Sequence, residues 1–550
     1  MKFSDYLIDF LAKKGIRHAF GLTGGGAMHL NDSIGRSKKI DFIFTHHEQS
    51  ASMAAESYYR EVNNPCMLSV TSGPGGTNGL TGVTGAWIDS IPMFVVSGQV
   101  QIHHTIQKTK TRQIGVQEIN IVDIIDKVTK KSLFLKDLKN IDVKLEELYQ
   151  IMLSGRPGPV WLDVPLDIQK TIVKIKKTKK YKFTGKKIIE KKFDFNKFKV
   201  LVKKSKKPLI VIGNGIHISK SKNDFLNFNS KFKFPVISSW NASDVMNTNN
   251  KYYVGRMGIF GDRASNLTAE NSDLIIVLGS RLSIPMIGYD TKNFAKKAKK
   301  IIVDIDKFEL NKNLLSNVNL KINICLSEFF QILKKKNISK DPTEIKKWLN
   351  LVSYWKKNYS IKQEKSHLGS IVKKSKKINS FNFINDLSKA CNGNESIVTD
   401  MGTSFSCTMQ TFSIKNSKKQ RLYTSSGLAA MGFGLPGAVG SSIASPKRDI
   451  ICITGDGGLM LNLQELQTIK NYNLPIKIFI LQNKGYLTMK LMQKKNFKLY
   501  VGSEQHSGLT FPDFKKVSLS FGIKYKKLKP NNVYFQAGFH LPPLNLNILF

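Results

Sequence analysis

Two oxygen-bearing side chains, Asp456 and Asn483, follow apolar runs about one βαβ step apart, in Gly455-Asp456-Gly457-Gly458 and Leu481-Gln-Asn483-Lys-Gly485. A hard divalent cation such as Mg²⁺ prefers octahedral oxygen coordination, usually with one or two protein ligands and the rest from phosphate or water. Asp456 and Asn483 suit that role, and the glycines around Asp456 allow a backbone to approach a diphosphate. Far upstream, Glu48 stands in Thr45-His-His-Glu48-Gln-Ser-Ala, where an apolar run gives way to small residues. A glutamate there either answers the positive end of a helix dipole or presents its carboxyl to a ligand at the sheet edge.

The elements that must carry these groups follow from periodicity. Asp449 to Thr454 reads as a buried strand, Leu459 to Asn473 as one helix with Leu463, Leu466 and Ile469 on a face, and Pro475 to Leu481 as a second buried strand. Both oxygen ligands then lie at the carboxyl ends of neighbouring parallel strands, where open α/β sheets bind ligands. Upstream, Met67 to Thr71 reads as a strand entering a loop of Gly73, Gly75 and Gly76 that lets the backbone press against a flat ligand.

These residues resemble thiamine-diphosphate-dependent enzymes of the acetolactate (acetohydroxyacid) synthase type, from Phe3 to about Lys529. The resemblance rests on His47-Glu48-Gln49, Thr71-Ser-Gly-Pro-Gly-Gly-Thr-Asn78, Gly155 to Pro165, Thr424 to Pro436 and the Asp456 and Asn483 pair, in family order. It implies a carboligase that decarboxylates a 2-oxo acid, pyruvate first among them, and passes the two-carbon unit to an acceptor. Thiamine diphosphate supplies the carbanion-stabilising carbon, while the protein binds and orients it. Glu48 is then the catalytic group, bonded to the aminopyrimidine ring, and its role calls for burial in an apolar pocket and a pKa above the ordinary value of about 4.3. Carried over position by position, Gly25, Pro74, Asn78, Gly402, Thr403, Ala429, Met431, Gly455, Asp456, Gly457, Gly458 and Asn483 bind the cofactor. Asp456, Asn483 and Gly485 hold Mg²⁺. Met431 is the apolar wedge that bends the cofactor, and the Ala429 carbonyl accepts from its amine.

With 550 residues, the chain accommodates three domains. The expected fold class is α/β, with three doubly wound parallel-sheet domains: residues 1–171 binding the pyrimidine, a central domain at 190–335, and 378–550 binding diphosphate and metal. Lysine-rich joins at Lys174 to Lys199 and Lys334 to Lys377 read as linkers with helical pieces. In the central domain, Lys207 to Gly215 and Ser272 to Ser280 read as buried strands ending in glycine turns. The family holds a non-catalytic FAD against that domain, and Gly213, Gly215, Gly279 and Arg281 would line such a groove. Ser283-Ile-Pro-Met286 departs from the family pattern there and leaves FAD open.

Net charge is +45, from 85 basic and 40 acidic residues. The lysines are dispersed over linkers, helix faces and strand ends, which reads as compositional drift and argues against a nucleic-acid partner. Five cysteines without CxxC spacing indicate neither a disulfide framework nor a zinc site. The amino terminus reads as an amphipathic helix with Phe3, Tyr6, Leu7, Phe10 and Leu11 on one face, no run reaches membrane-spanning length, and a cytoplasmic protein is expected. In enzymes of this resemblance the first domain of one subunit faces the third domain of another, so a homodimer or homotetramer is expected.

Departures from the family concern the acceptor. Leu166 stands where a lysine is usual, Val116 where a phenylalanine precedes the glutamine, and Met492 where a tryptophan helps select the second 2-oxo acid. The runs at Met28 and Asn483 look instead like synthase-like enzymes of sugar and polysaccharide biosynthesis. A 2-oxo acid decarboxylase or carbon–carbon hydrolase of the same fold is the alternative, and an inactive basic binding protein the non-enzyme rival. From Lys529 the sequence lacks helical periodicity and reads as a truncated or frame-shifted end, with which the third domain would lack a strand.

Overall fold

The computed structural model describes residues 1–106, 109–173, 193–336, 338, 340–359, 378–528 and 547–549. Among the described residues, eighteen strands form three six-stranded parallel sheets. The first contains β1 (His18–Gly21), β2 (Asp41–Phe44), β3 (Met67–Val70), β4 (Phe94–Gln99), β5 (Lys131–Phe134) and β6 (Val160–Pro165), in the order β2-β1-β3-β4-β6-β5. The second contains β7 (Pro208–Ile212), β8 (Val236–Ser238), β9 (Tyr253–Arg256), β10 (Leu274–Leu278), β11 (Lys299–Asp304) and β12 (Val318–Asn323), ordered β12-β11-β10-β7-β8-β9. The third contains β13 (Ser396–Thr399), β14 (Arg421–Tyr423), β15 (Ile450–Gly455), β16 (Ile476–Leu481), β17 (Lys524–Lys526) and β18 (Asn547–Leu549), ordered β14-β13-β15-β16-β18-β17.

The central strands are apolar along their whole length because helices cover both faces. In β7 and β10 every residue is buried, the signature of a parallel sheet enclosed on two sides. The amino-terminal helix Phe3–Lys13 buries Phe3, Leu7 and Leu11 in the first domain's core, as its periodicity predicts. No helix among the described residues is long and apolar enough to cross a membrane.

Three expectations need correction. Leu459 to Asn473 is two helices, Asp456–Leu461 and Glu465–Asn471. Asn462 leaves helical geometry at φ −138° because its side chain is engaged elsewhere: its amide donates to the Gly432 carbonyl at 2.7 Å and it accepts from Ser50 Oγ at 2.9 Å. Secondly, only Gly73 belongs to the turn after β3. Pro74 opens a helix that runs to Asp89 and takes in Gly75 and Gly76, since proline fits a first helical position whose N–H has no helical partner. Thirdly, the third sheet keeps its late strand: β18 pairs parallel with both β16 and β17. Three residues make no recognisable period in sequence but are enough for a backbone ladder. The rest of the tail, 529–546 and 550, and most of the joins, 174–192 and 360–377, lie outside the described residues.

The first and third domains meet through two helices, Glu48–Val62 and Gly434–Ala444. The approach is so close that a Cβ on Gly440 would stand 2.0 Å from the Ala54 carbonyl oxygen. Ser57 Oγ donates to the Gly437 carbonyl at 2.6 Å across the same contact, and Arg448 pairs with the buried Glu61 carboxylate.

Candidate active site

Paired register brings Gly455 of β15 opposite Leu481 of β16, so the loops bearing Asp456 and Asn483 leave the sheet side by side. Asp456 is buried, with 2 % of its surface exposed. Its Oδ1 accepts from the Gly457 N–H at 3.0 Å and its Oδ2 from the Asn483 N–H at 2.8 Å. Burial raises the carboxyl's pKa, and these backbone donors, with those of Lys484 and Gly485, pull it the other way; the net shift is upward. A carboxylate held this way faces the Asn483–Gly485 loop. No group of three His, Cys, Asp or Glu able to hold a metal occurs among the described residues. A cation at Asp456 would need its other ligands from amide, carbonyl, phosphate or water oxygens, a donor set that Mg²⁺ accepts.

The surrounding glycines divide by what lies beside them. Gly455, at the strand end, has nothing nearer than 4.0 Å to a built Cβ, and Gly402, at φ +82°, has nothing within 4 Å. Gly402 caps the helix Thr403–Thr411, placing Thr403 in its first turn. These are open positions. A Cβ on Gly457 would instead strike Tyr486 Cε1 at 2.3 Å and approach Met431 Cε at 3.4 Å, and one on Gly458 would strike Asp400 Oδ2 at 2.5 Å. Gly485, at φ +157°, lies against the Ser503 carbonyl. Met431 thus lies beside the Asp456 loop, and Ala429, two residues earlier, is held in the left-handed region at φ +59°.

Asp400 was not anticipated from sequence, yet it holds these loops together. It is fully buried at the end of β13 and accepts from the N–H groups of Met401, Gly432 and Gly434 at 2.7, 3.0 and 3.3 Å and from Thr454 Oγ1 at 3.1 Å. Burial raises its pKa. The only signal in the sequence was an acid followed by Gly402 after an apolar strand. Tyr486, seated over Gly457, was likewise unanticipated.

The second group lies at the carboxyl ends of the first sheet. Glu48 opens the helix Glu48–Val62 and is 8 % exposed. Its pocket is not purely apolar, because Asn78 Nδ2 donates to its Oε2 at 3.0 Å. A Cβ on Gly75, next to Pro74, would come within 3.6 Å of its Oε1. Gly73 and Gly76 serve packing rather than a ligand: built Cβ atoms would meet the Gln117 carbonyl at 2.3 Å and Ile121 at 3.0 Å. Gly25 begins a short turn of 3₁₀ helix and has open space where a side chain would project.

Within one chain the two groups do not face each other across the helix pair. Ser50, Met53, Ala54 and Ser57 contact the third domain. At about 100° per residue, Glu48 lies roughly 120° to 180° around the helix from all four. Its carboxylate points instead toward Asn78 on the neighbouring helix of its own domain.

A separate cavity of about 590 Å³ opens at the carboxyl edge of the central sheet, where the strand order reverses between β7 and β10. Gly213, Gly215, Gly279 and Arg281 line it, as expected. The glycines pack on each other, however: Gly215 N donates to the Gly279 carbonyl at 3.0 Å, and a Cβ on Gly213 would stand 2.1 Å from that oxygen. They close the loop crossing and leave the polar contacts to side chains.

Comparison with known proteins agrees with this layout. Residues 1–123 match "Thiamine pyrophosphate enzyme, N-terminal TPP binding domain", residues 196–331 its "central domain" and residues 400–534 its "C-terminal TPP binding domain". The chain is 31 % identical over 541 residues to the acetolactate synthase large subunit of Buchnera aphidicola (subspecies Schizaphis graminum), covering 96 % of this chain and 90 % of that protein. It is 32 % identical over 534 residues to the acetolactate synthase large subunit of Cyanidium caldarium, with 94 % and 87 % covered. A probable acetolactate synthase large subunit of Methanococcus aeolicus is 31 % identical over 563 residues, with 97 % and 89 % covered. Three domain matches in order and relatives spanning nearly its whole length make this chain a member of the acetolactate synthase large-subunit family of thiamine-diphosphate enzymes.

Proposed function

We propose that the chain is a thiamine-diphosphate- and Mg²⁺-dependent carboligase that decarboxylates pyruvate and joins the two-carbon unit to a second 2-oxo acid. The observation that carries this reading is the Asp456 carboxylate turned onto the Asn483–Gly485 loop beside open glycine backbone and Met431. When bound, thiamine diphosphate supplies a carbon that accepts the electron pair released as CO₂ departs. Asp456, the Asn483 side chain and the Gly485 carbonyl would hold Mg²⁺ against the diphosphate. Gly402, Thr403, Gly455, Gly457 and Gly458 would offer it backbone, Met431 and Ala429 would bear on the cofactor from the segment beside the Asp456 loop, and Pro74, Asn78 and Gly25 would stand on the pyrimidine side. Glu48 would hold or release a proton toward the pyrimidine nitrogen, and the Asn78 amide, donating to Oε2 at 3.0 Å, would keep the carboxyl aimed.

Because the Glu48 carboxylate turns to Asn78 of its own domain and away from the helix Gly434–Ala444, the working site is read as shared between two chains. A homodimer is the smallest active unit, with the first domain of each subunit completing the other's cofactor cleft. The proposed domain limits are 1–171, 190–335 and 378–550. The central cavity is the place for a nucleotide, FAD being the one the family resemblance suggests. Arg156 and Arg281 line it for phosphates, and Asp304 ends β11 where a ribose hydroxyl would find an acceptor.

Proton exchange at the thiazolium C2 of bound cofactor, followed by NMR, tests the cofactor assignment. Exchange far faster than for the free cofactor supports it. Exchange at the free rate, with cofactor bound, overturns it.

A further inference from the structure

The segment leading to Ala429 and Met431 starts on the wall of the central cavity. Asp89, Asn241, Arg281 and Ser426 all line that cavity. Asn241 grips the segment from the central domain: its Nδ2 donates to the Thr424 carbonyl at 2.9 Å and to Ser426 Oγ at 3.0 Å, and its Oδ1 accepts from Thr424 N at 3.1 Å. Asp89 grips it from the first domain, its Oδ2 accepting Ser426 N at 3.0 Å while Arg60 donates to the same oxygen at 2.6 Å. One residue on, Gly427 is pressed against Ile88 and Asp89, leaving no room for a side chain.

Two cavity arginines hold the same end of the Pro74–Asp89 helix. Arg156 donates to the Ile88 carbonyl at 3.0 Å and to Ser90 Oγ at 2.7 Å, and pairs with Asp306 and Glu309 of the central domain at 3.0 and 3.1 Å. Arg281 stands 3.5 Å from Asp89 Oδ1, at the limit of a hydrogen bond, with 35 % of its side chain exposed. Trp240, nine-tenths buried on the cavity wall, has an indole N–H without a partner among the described residues. Its ring packs edge-on at 4.7 Å to Phe405 of the helix that begins at Thr403. Cavity wall and cofactor loops are therefore built from contiguous residues.

We propose that the cavity is an effector site, in which an anionic nucleotide tightens the hold of the Ser426–Met431 segment on thiamine diphosphate through Arg281, Asp89 and Asn241. The proposal rests on the nucleotide reading of the cavity given above. An anion draws Arg281 away from its marginal contact with Asp89. The Asp89 carboxylate is then left to Arg60 and Ser426 N, which fixes the start of the segment. Linkage is reciprocal, so the cofactor must tighten nucleotide binding by the same factor. Asp89, Arg281 and Asn241 are positioning residues here and touch no reacting atom.

Calorimetric titration of thiamine diphosphate at fixed Mg²⁺ into the full-length protein, without nucleotide and with saturating ADP or FAD, decides the matter. Direct titration of each nucleotide runs alongside. The expected result is tightening by about five-fold or more, within the usual range for coupled sites. Arg281→Gln, which removes the same contact permanently, should bind cofactor about as tightly as the nucleotide-loaded wild type and show no further shift, and Asp89→Asn serves as the second variant. A nucleotide that binds to the wild-type protein while cofactor affinity stays unchanged or weakens overturns the coupling alone. If neither ADP nor FAD binds, the coupling and the nucleotide reading of the cavity both fall.

Discussion

The Asp456 carboxylate accepts the backbone N–H of Asn483 at 2.8 Å, across the ends of two adjacent strands. One acidic side chain thus joins the proposed diphosphate loop to the Asn483–Gly485 loop proposed to supply the other oxygen ligands. Removing it should cost more than a neighbour of a ligand does, which is about 10- to 100-fold in metal affinity. Asp456→Ala is expected to weaken Mg²⁺-dependent thiamine diphosphate binding by at least about 100-fold, measured by calorimetry. Affinity within a few-fold of wild type would remove Asp456 from the metal.

Glu48→Gln keeps a hydrogen-bonding group beside Asn78 but cannot share a proton in the same way. The melting temperature and most cofactor affinity should persist, while C2 proton exchange slows by about 10² to 10⁴, the usual worth of a positioned acid or base. NMR-detected exchange after rapid quenching gives the number. A wild-type rate would assign the proton to another group.

Glu48 and Asp456 should complement each other across chains. Each variant alone is expected to be nearly inactive, but a mixture of Glu48→Gln and Asp456→Ala subunits should recover activity, since a hybrid dimer contains one cleft with both residues intact. If native mass spectrometry shows hybrids and the mixture stays inactive, the shared site is wrong.

Asp163 offers a pH signature. Burial pushes its carboxyl up to about 7, against hydrogen bonds from Ser97 and Gln99, with the charge of Glu118 adding to the rise. Unfolded, it titrates near about 3.9. Between those values the folded chain holds the extra proton, so this group's penalty is absent below about pH 4, grows as pH rises, and is complete above about pH 7. Asp163→Asn should therefore gain stability relative to wild type as pH goes from 4 to 7, read from paired melting curves. A difference independent of pH would contradict this.

The contact of Gly440 with Ala54 is too close for any side chain. Gly440→Ala should destabilise the junction of the first and third domains by about 1–3 kcal/mol, the ordinary cost of overpacking. Urea denaturation measures it, and an unchanged midpoint would show that the two helices can separate freely.

What was legible in the sequence was local. Asp456 and Asn483 announced themselves because strand, glycine and helix signals lie within a few residues of each, and the buried strands of the central sheet read as unbroken apolar runs. What was hidden depends on distant partners. The break at Asn462 answers to Ser50, 412 residues away, and no window of sequence contains both. Asp400 looks like any acid after a strand until Gly432, Gly434 and Thr454 converge on it. Gly75 and Gly76 read as a loop because glycine is ambiguous in isolation, and only the packing of Ile121 against Gly76 shows why a helix needs it there. Three-residue β18 was too short to leave a pattern.

Leu166, Val116 and Met492 are the positions read in the sequence as departures from the family pattern, and the last two are 86 % and 55 % exposed. Product analysis by NMR, with pyruvate, thiamine diphosphate and Mg²⁺ and then with a second 2-oxo acid added, tests the carboligase reading most directly. The account predicts acetolactate from pyruvate alone, formed only when cofactor and metal are both present. Free acetaldehyde as the sole product, or no turnover of pyruvate by protein shown to have bound its cofactor, would contradict it.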